Sequence, residues 1–354
     1  MEKLKIGILG TWLKAEKFGT MVNEYEGCEV DAVWDRDQDK AREVAGLLGC
    51  RTAKDMDEII DDPDIGGVMI LTEYCFHTEL LLRCAEAGKH ILVEKPLCTS
   101  TKNAEKIRSA VKKSGRKFYM SDPFVNGTTI FQKQLMESGA LGRIMHGRMK
   151  FCRMDDASQD EESIRIRTRM TGGGMMSDLG THALHSLYYL FGMPEKVYAH
   201  FAYESSLAQS IGREDYVTML MEYADGVTAS LECSTIAPGF DNVIEVTGTN
   251  GIVLNTDLSG NARTVKYRLL NGSNDSSLNY SKTGMDDEGW YIPDDRMIPD
   301  EPTRHVNYWL KMILEDISQE QFEHDPLGNC GLSIDRAVDL VKIREMIYDA
   351  ASRD

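Results

Sequence analysis

Lys5-Ile6-Gly7-Ile8-Leu9-Gly10-Thr11-Trp12-Leu13-Lys14-Ala15 is the stretch on which the fold turns. The run from Lys5 to Leu9 reads as a buried strand, Gly10 opens a turn, and Ala15 to Tyr25 has helical apolar spacing. The same unit then recurs. Val30 to Trp34 reads as a second strand, and Gln38 to Leu48 as a helix with Asp37 as its cap and Gly49 as its stop. Gly67 to Leu71, His90 to Val93 and Lys117 to Met120 are further strands. Helices over His77 to Ala87 and Thr101 to Lys113 lie between them and end at Gly88 and Gly115. Such alternation implies right-handed crossovers and a parallel sheet covered on both faces. Residues 1–122 are predicted to form a doubly wound α/β domain.

Beyond Asp122 the pattern changes. A helical stretch from Thr128 to Glu137 leads to Ser138-Gly139-Ala140-Leu141-Gly142. Strand-like segments follow at Ile144–Met154, Lys196–Tyr203, Asp215–Tyr223, Val227–Thr235 and Asn242–Thr247. The turns Ala224-Asp225-Gly226 and Thr249-Asn250-Gly251 suggest antiparallel hairpins. A helix over about Met176 to Phe191 interrupts the strands, and helices over Thr303–Ile317 and Ser333–Ala351 close the chain. Residues 123–354 are therefore predicted to form an α+β domain with a large, mainly antiparallel sheet, whose C-terminal helices can pack back on the first domain. Ser273 to Asp300 reads as a long surface loop.

Composition narrows the function. Of 354 residues, 57 are acidic and 40 basic, a formal charge of −17 that argues against tracking a nucleic-acid backbone. The longest stretch without Asp, Glu, Lys or Arg, Leu179 to Pro194, is too short to span a bilayer. Met1 to Leu9 lacks a signal-peptide layout. Eight scattered cysteines form no Cys-x-x-Cys pair, so a reduced, cytoplasmic setting is expected rather than a disulfide scaffold or zinc ribbon.

The turn after the first strand has the position of a loop that brings backbone amides and a helix N-terminus to a pyrophosphate. Gly10 and Ala15 fit the first and third positions of G-x-G-x-x-G/A, whereas Trp12 stands where the second glycine belongs. Asp35 ends the second strand, where a carboxylate accepts hydrogen bonds from an adenosine ribose and repels a 2′-phosphate; NAD is then preferred over NADP. Its other reading is a helix N-terminal acid. Glu94-Lys95-Pro96 leaves the carboxyl end of a parallel strand, which aims Lys95 at the ligand crevice, where it can polarise a hydroxyl. Downstream, Gly172-Gly173-Gly174 precedes Asp178-Leu179-Gly180-Thr181-His182. Asp178 and His182, four apart, share a helix face, and a histidine beside a carboxylate can remove a hydroxyl proton. His185 could join them as metal ligands, but no outside cluster supports this and no metal is expected.

Taken together, these motifs resemble the glucose-fructose oxidoreductase, inositol dehydrogenase and rhizopine-catabolism (Gfo/Idh/MocA) family. The likeness runs in order through Gly10…Ala15, Asp35, Thr72 to His77, Ala87-Gly88-Lys89-His90…Glu94-Lys95-Pro96-Leu97, Ser138 to Gly142, Gly172…His182 and Val246 to Gly251. The resemblance implies a Rossmann domain, then an α+β domain whose open sheet often packs on another subunit, giving a homodimer or homotetramer. It implies hydride exchange between NAD(P) and a sugar, cyclitol or glycoside hydroxyl, with Lys95, Asp178 and His182 at the catalytic positions and His182 as proton acceptor. Cofactor contacts would come from Gly10, Thr11, Trp12, Ala15, Asp35, Arg36, Thr72, His77, Glu94, Lys95 and Pro96. Substrate contacts would come from Asn126, Arg169 and His185. Trp12, Glu73 and His185 depart from the family pattern, Glu73 replacing a proline and His185 an aspartate. The alternative readings on the same fold are an NAD-dependent glycosidase or lyase working through transient oxidation and elimination, and a non-catalytic sugar or dinucleotide sensor.

Overall fold

Ile6, Ile8 and Leu9 have no exposed surface, as a strand covered on both faces requires. They belong to β1 (Leu4–Leu9) in the computed structural model, which describes residues 3–11, 14–154, 168, 173–256, 264–270, 289–293, 304–325 and 330–352. The chain divides into two units, Met1–Asp122 with Pro302–Val341, and Pro123–Glu301 with Lys342–Asp354.

The first unit continues through α1 (Ala15–Glu24), β2 (Cys28–Trp34), α2 (Gln38–Leu48), β3 (Arg51–Thr52) and α3 (Asp57–Ile60). Then follow β4 (Ile65–Ile70), α4 (His77–Glu86), β5 (His90–Glu94), α5 (Thr101–Ser114) and β6 (Phe118–Ser121). All six strands are parallel, in the order β3-β2-β1-β4-β5-β6. The order reverses between β1 and β4, which opens a crevice beyond their carboxyl ends. Helix ends are chemically marked: Asp37 accepts from the amides of Asp39 and Lys40 at the start of α2, and Gly49 ends it at φ 70°. The unit's core also draws on the far end of the chain. Trp309, in the helix Arg304–Leu314, is fully buried with Ile6, Ile8, Met69 and Leu92. Leu332 exchanges backbone hydrogen bonds with Met120 and so covers the β6 edge.

The second unit holds α6 (Gly127–Glu137), β7 (Ile144–Met154), α7 (Met175–Asp178), α8 (Gly180–Phe191), β8 (Lys196–Ala202) and α9 (Ser206–Ile211). It continues with β9 (Tyr216–Glu222), β10 (Thr228–Ser234), β11 (Ile236–Gly248), β12 (Gly251–Asn255) and β13 (Val265–Leu269). The seven strands are ordered β13-β12-β11-β7-β10-β9-β8. The turns at Asp225 and Asn250 join antiparallel neighbours as expected, but β10 also pairs parallel to β7, with Leu231 opposite Met149. The sheet is thus mixed, though mainly antiparallel. α6 and α8 cover one face: Gln132 donates to the Ile244 carbonyl, and Phe191 lies so close over Gly147 that a Cβ there would strike its ring. Tyr291 bridges to Tyr267 of β13; the rest of the proposed 273–300 loop lies outside the described residues, apart from 289–293. No helix among the described residues is long and apolar enough to cross a membrane.

Candidate active site

In the first unit the crevice is a cleft of about 670 Å³ whose walls include Gly10, Thr11, Asp35, Arg36, Thr72 and Phe76. Gly10 adopts φ +94°, and a Cβ there would lie 2.7 Å from the Leu71 carbonyl group. Glycine is therefore dictated by the close passage of the β1 and β4 exits, and it keeps that side of the cleft free of side chain. Asp35 Oδ2 accepts from both the backbone amide and the hydroxyl of Thr11, each at 2.7 Å, while Oδ1 accepts from the Asp37 amide at 2.8 Å. The carboxylate thus pins the loop and leaves further lone pairs for a ligand. This pair of hydrogen bonds from Thr11 carries no sequence signature.

Arg36 reaches the Glu73 carboxylate at 3.1 Å and lies 4.8 Å over the Phe76 ring. His77 is wholly buried between two carbonyls, with Nδ1 2.9 Å from Pro96 O and Nε2 3.0 Å from Thr72 O. Burial pushes its pKa down to about 4 against the opposing pull of those carbonyls. The neutral ring carries one N–H and so donates to one of these two carbonyls. Glu94 is buried, and Lys14 Nζ reaches it at 2.9 Å. Burial raises the Glu94 pKa, and the nearby Lys14 and Lys95 charges oppose that rise. The Lys95 amide donates to the Ser121 carbonyl, and the Lys95–Pro96 bond is cis. Ala15 opens α1 and is buried; Trp12 lies outside the described residues.

In the second unit, Leu179 (φ −68°, ψ −43°) joins α7 to α8, so Asp178 and His182 stand one turn apart on a nearly continuous helix. The His182 amide bonds to the Leu179 carbonyl three residues back, which tightens the turn. The His182 ring is half-buried, 4.1 Å from the Phe124 ring centroid and tilted 35° to it. His185 is buried on the same helix. Asn126 is buried as the cap of α6, accepting from the Thr128 and Thr129 amides. Arg169 lies outside the described residues. Among the described residues, no three His, Cys, Asp or Glu side chains gather closely enough to hold a metal ion.

Residues 4–121 match the family model described as an oxidoreductase family with an NAD-binding Rossmann fold, and residues 132–254 match that of the GFO/IDH/MocA C-terminal domain. The chain belongs to the Gfo/Idh/MocA oxidoreductase family. Among its family relatives it is 30% identical over 255 residues to an uncharacterised oxidoreductase of Rhizobium meliloti, covering 70% of this chain and 73% of that one. It is also 30% identical over 241 residues to levoglucosan dehydrogenase of Pseudarthrobacter phenanthrenivorans; that alignment covers 60% of this chain and 61% of the enzyme. A levoglucosan dehydrogenase structure in complex with NADH and levoglucosan shares the fold, with a TM-score of 0.78 at 22% identity, over 99% of this chain and 98% of that one. The first unit is an NAD-binding Rossmann domain. Its residues suit the dinucleotide: the bare Gly10 corner admits close backbone approach, and Asp35 offers acceptors at the end of β2.

Proposed function

We propose that this Gfo/Idh/MocA protein oxidises a ring hydroxyl of a sugar, cyclitol or glycoside, or reduces the corresponding ketone. In this reading residues 1–122 hold the cofactor and 123–354 hold the substrate. The observation that supports it most is Asp178 and His182 one turn apart on a helix of a chain that also carries an NAD-binding Rossmann domain. Bound NAD supplies the hydride acceptor at its nicotinamide. The protein supplies the proton chemistry. His182 takes the hydroxyl proton, and its stacking on Phe124 limits the ring's orientation. Asp178 balances the imidazolium that results. Lys95 donates to the oxygen as it gains negative charge, stabilising the alkoxide. Gly10, Thr11, Ala15, Asp35, Arg36, Thr72, Glu94 and Pro96 frame the cofactor side, with NAD preferred over NADP because Asp35 repels a 2′-phosphate.

A panel of sugars, cyclitols and glycosides, levoglucosan among them, tests this by NADH production. Turnover of one panel member that disappears in His182→Ala is the expected result. Full turnover in that variant assigns the proton acceptor elsewhere, with His185 next.

The proposed assembly is a homodimer or homotetramer paired through the sheet face opposite α6 and α8. Tyr198 and Leu220 are exposed there, 51% and 37%, beside the polar pairs Arg148–Glu245 and Lys150–Glu232. A monomeric mass by light scattering at micromolar concentration would reject it.

A further inference from the structure

α7 is only four residues long, yet it carries Asp178 and leads into His182. α7 is the first turn of the nearly continuous helix it forms with α8, and the first amides of a helix have no partners within it. Those amides bond instead to two distant residues. The Gly174 amide donates to Tyr348 Oη at 3.2 Å, the Met175 amide to the Glu214 carbonyl at 3.2 Å, and the Met176 amide to Glu214 Oε1 at 3.0 Å. Tyr348 Oη donates to Glu214 Oε1 at 2.5 Å and accepts from Ser177 Oγ at 3.0 Å. Gly174 itself offers no side chain to cap the helix.

The carboxylate end of the clamp is buried. Glu214 is 2% exposed, and burial raises its pKa against the pull of Tyr348 and the Met176 amide. Phe201 of β8 meets the Tyr348 ring edge-on at 5.0 Å. The glycines upstream acquire a specific reason. A Cβ on Gly174 would fall on the Glu214 carboxylate, and one on Gly173 on Ser177 Oγ. The close approach they permit is to the protein's own clamp.

We propose that Glu214 and Tyr348 are positioning residues that set the azimuth of α7 and thereby aim Asp178 and His182. The inference rests on the proposed role of His182 and adds the device that holds it. Glu214→Ala removes an acceptor of the Met176 amide. A displacement of about an ångström in reacting groups is worth roughly 10²-fold in rate, so kcat should fall by about that factor while KM and NADH affinity change less than about twofold. Glu214→Gln, whose amide oxygen still accepts from Met176, should recover most of the loss. Tyr348→Phe should fall between them.

A second readout needs no turnover. In protein labelled with ¹⁵N-histidine, the His182 ring signals, identified by their loss in His182→Ala, should shift in Glu214→Ala and return in Glu214→Gln. Unmoved His182 signals in Glu214→Ala overturn the clamp. So does a parallel loss of kcat, NADH affinity and melting temperature, which marks a general scaffold role. Turnover retained in His182→Ala instead sinks the catalytic reading, while the ring signals still decide the clamp.

Discussion

Asp35 and Glu214 both accept backbone amides where the chain enters or leaves a strand, but in opposite surroundings. Asp35 is half-buried on the wall of an open cleft and holds Thr11 with one oxygen. Glu214 is sealed among Met176, Tyr348 and the Gly174 backbone. The first carboxylate can pass its acceptors to an incoming ribose at little desolvation cost. The second is 2% exposed, and its Oε1 already accepts from Met176 and Tyr348, so it holds the scaffold. One chemical group thus serves a ligand or a scaffold according to what covers it.

The contrast between the two carboxylates is testable by substitution. Its largest expected effect is on the scaffolded side: His182→Ala should lower turnover by about 10²–10⁴-fold and leave NADH affinity intact, measured by steady-state kinetics beside fluorescence titration. Asp35→Ala comes next. It removes the proposed ribose acceptor and the Thr11 anchor together, so NADH affinity should fall by roughly tenfold or more, as for hydrogen bonds to a charged group. Affinity for NADPH should fall less, and equal losses for the two cofactors would reject Asp35 as the discriminating residue.

A third effect belongs to pH. The folded-state pKa of His77, about 4, lies below the ordinary value of 6.5, so the fold favours the neutral ring. That contribution is complete above about pH 6.5 and is lost as pH falls toward 4, an effect of about 3 kcal/mol. His90, also pushed down to about 4 by burial and then by Arg116 and Lys117, acts with the same sign. Melting temperature should therefore drop less between pH 7 and pH 4.5 in His77→Gln than in the wild type. An identical drop would remove His77 as a cause. The smallest effect is at the cleft rim. Glu73→Gln frees Arg36 from an exposed ion pair worth less than about 1 kcal/mol, so NADPH binding should improve only a few-fold. No change would show that Glu73 does not restrain Arg36.

Legibility followed the range of the interactions. In the first unit, β1, β4 and β5 are mainly apolar runs, β2 is apolar but for Glu29 and Asp31, and α2 and α5 stop at Gly49 and Gly115, so the elements containing Ile8, Val33, Met69 and Leu92 could be read directly. The short β3 and α3 could not, being two and four residues long. In the second unit, Pro238 and Gly239 argue against a strand, so β11 was expected only from Asn242; it begins at Ile236 and shifts register before Asp241. The six-residue α9 and five-residue β12 and β13 are too brief for periodicity. The parallel β7–β10 pairing leaves no local pattern. At the candidate site, the spacings of Asp35 from Gly10 and His182 from Asp178 were legible because one strand–helix unit or one helical turn sets them. The bond between Thr11 and Asp35, and the hold of Glu214 and Tyr348 on α7, join residues 24 to 174 positions apart. Nothing in a local window reports them.

The burial of Trp309 among Ile6, Ile8, Met69 and Leu92 has a consequence for synthesis. A ribosome delivers the six strands of the nucleotide-binding sheet long before it delivers residue 309. Through that interval the surface Trp309 will cover, including the bare backbone of Gly67 against which its ring packs, stays open to water. The first domain begun is therefore among the last completed, and the nascent chain carries an exposed apolar sheet through most of translation, where a chaperone that binds such surfaces would find it.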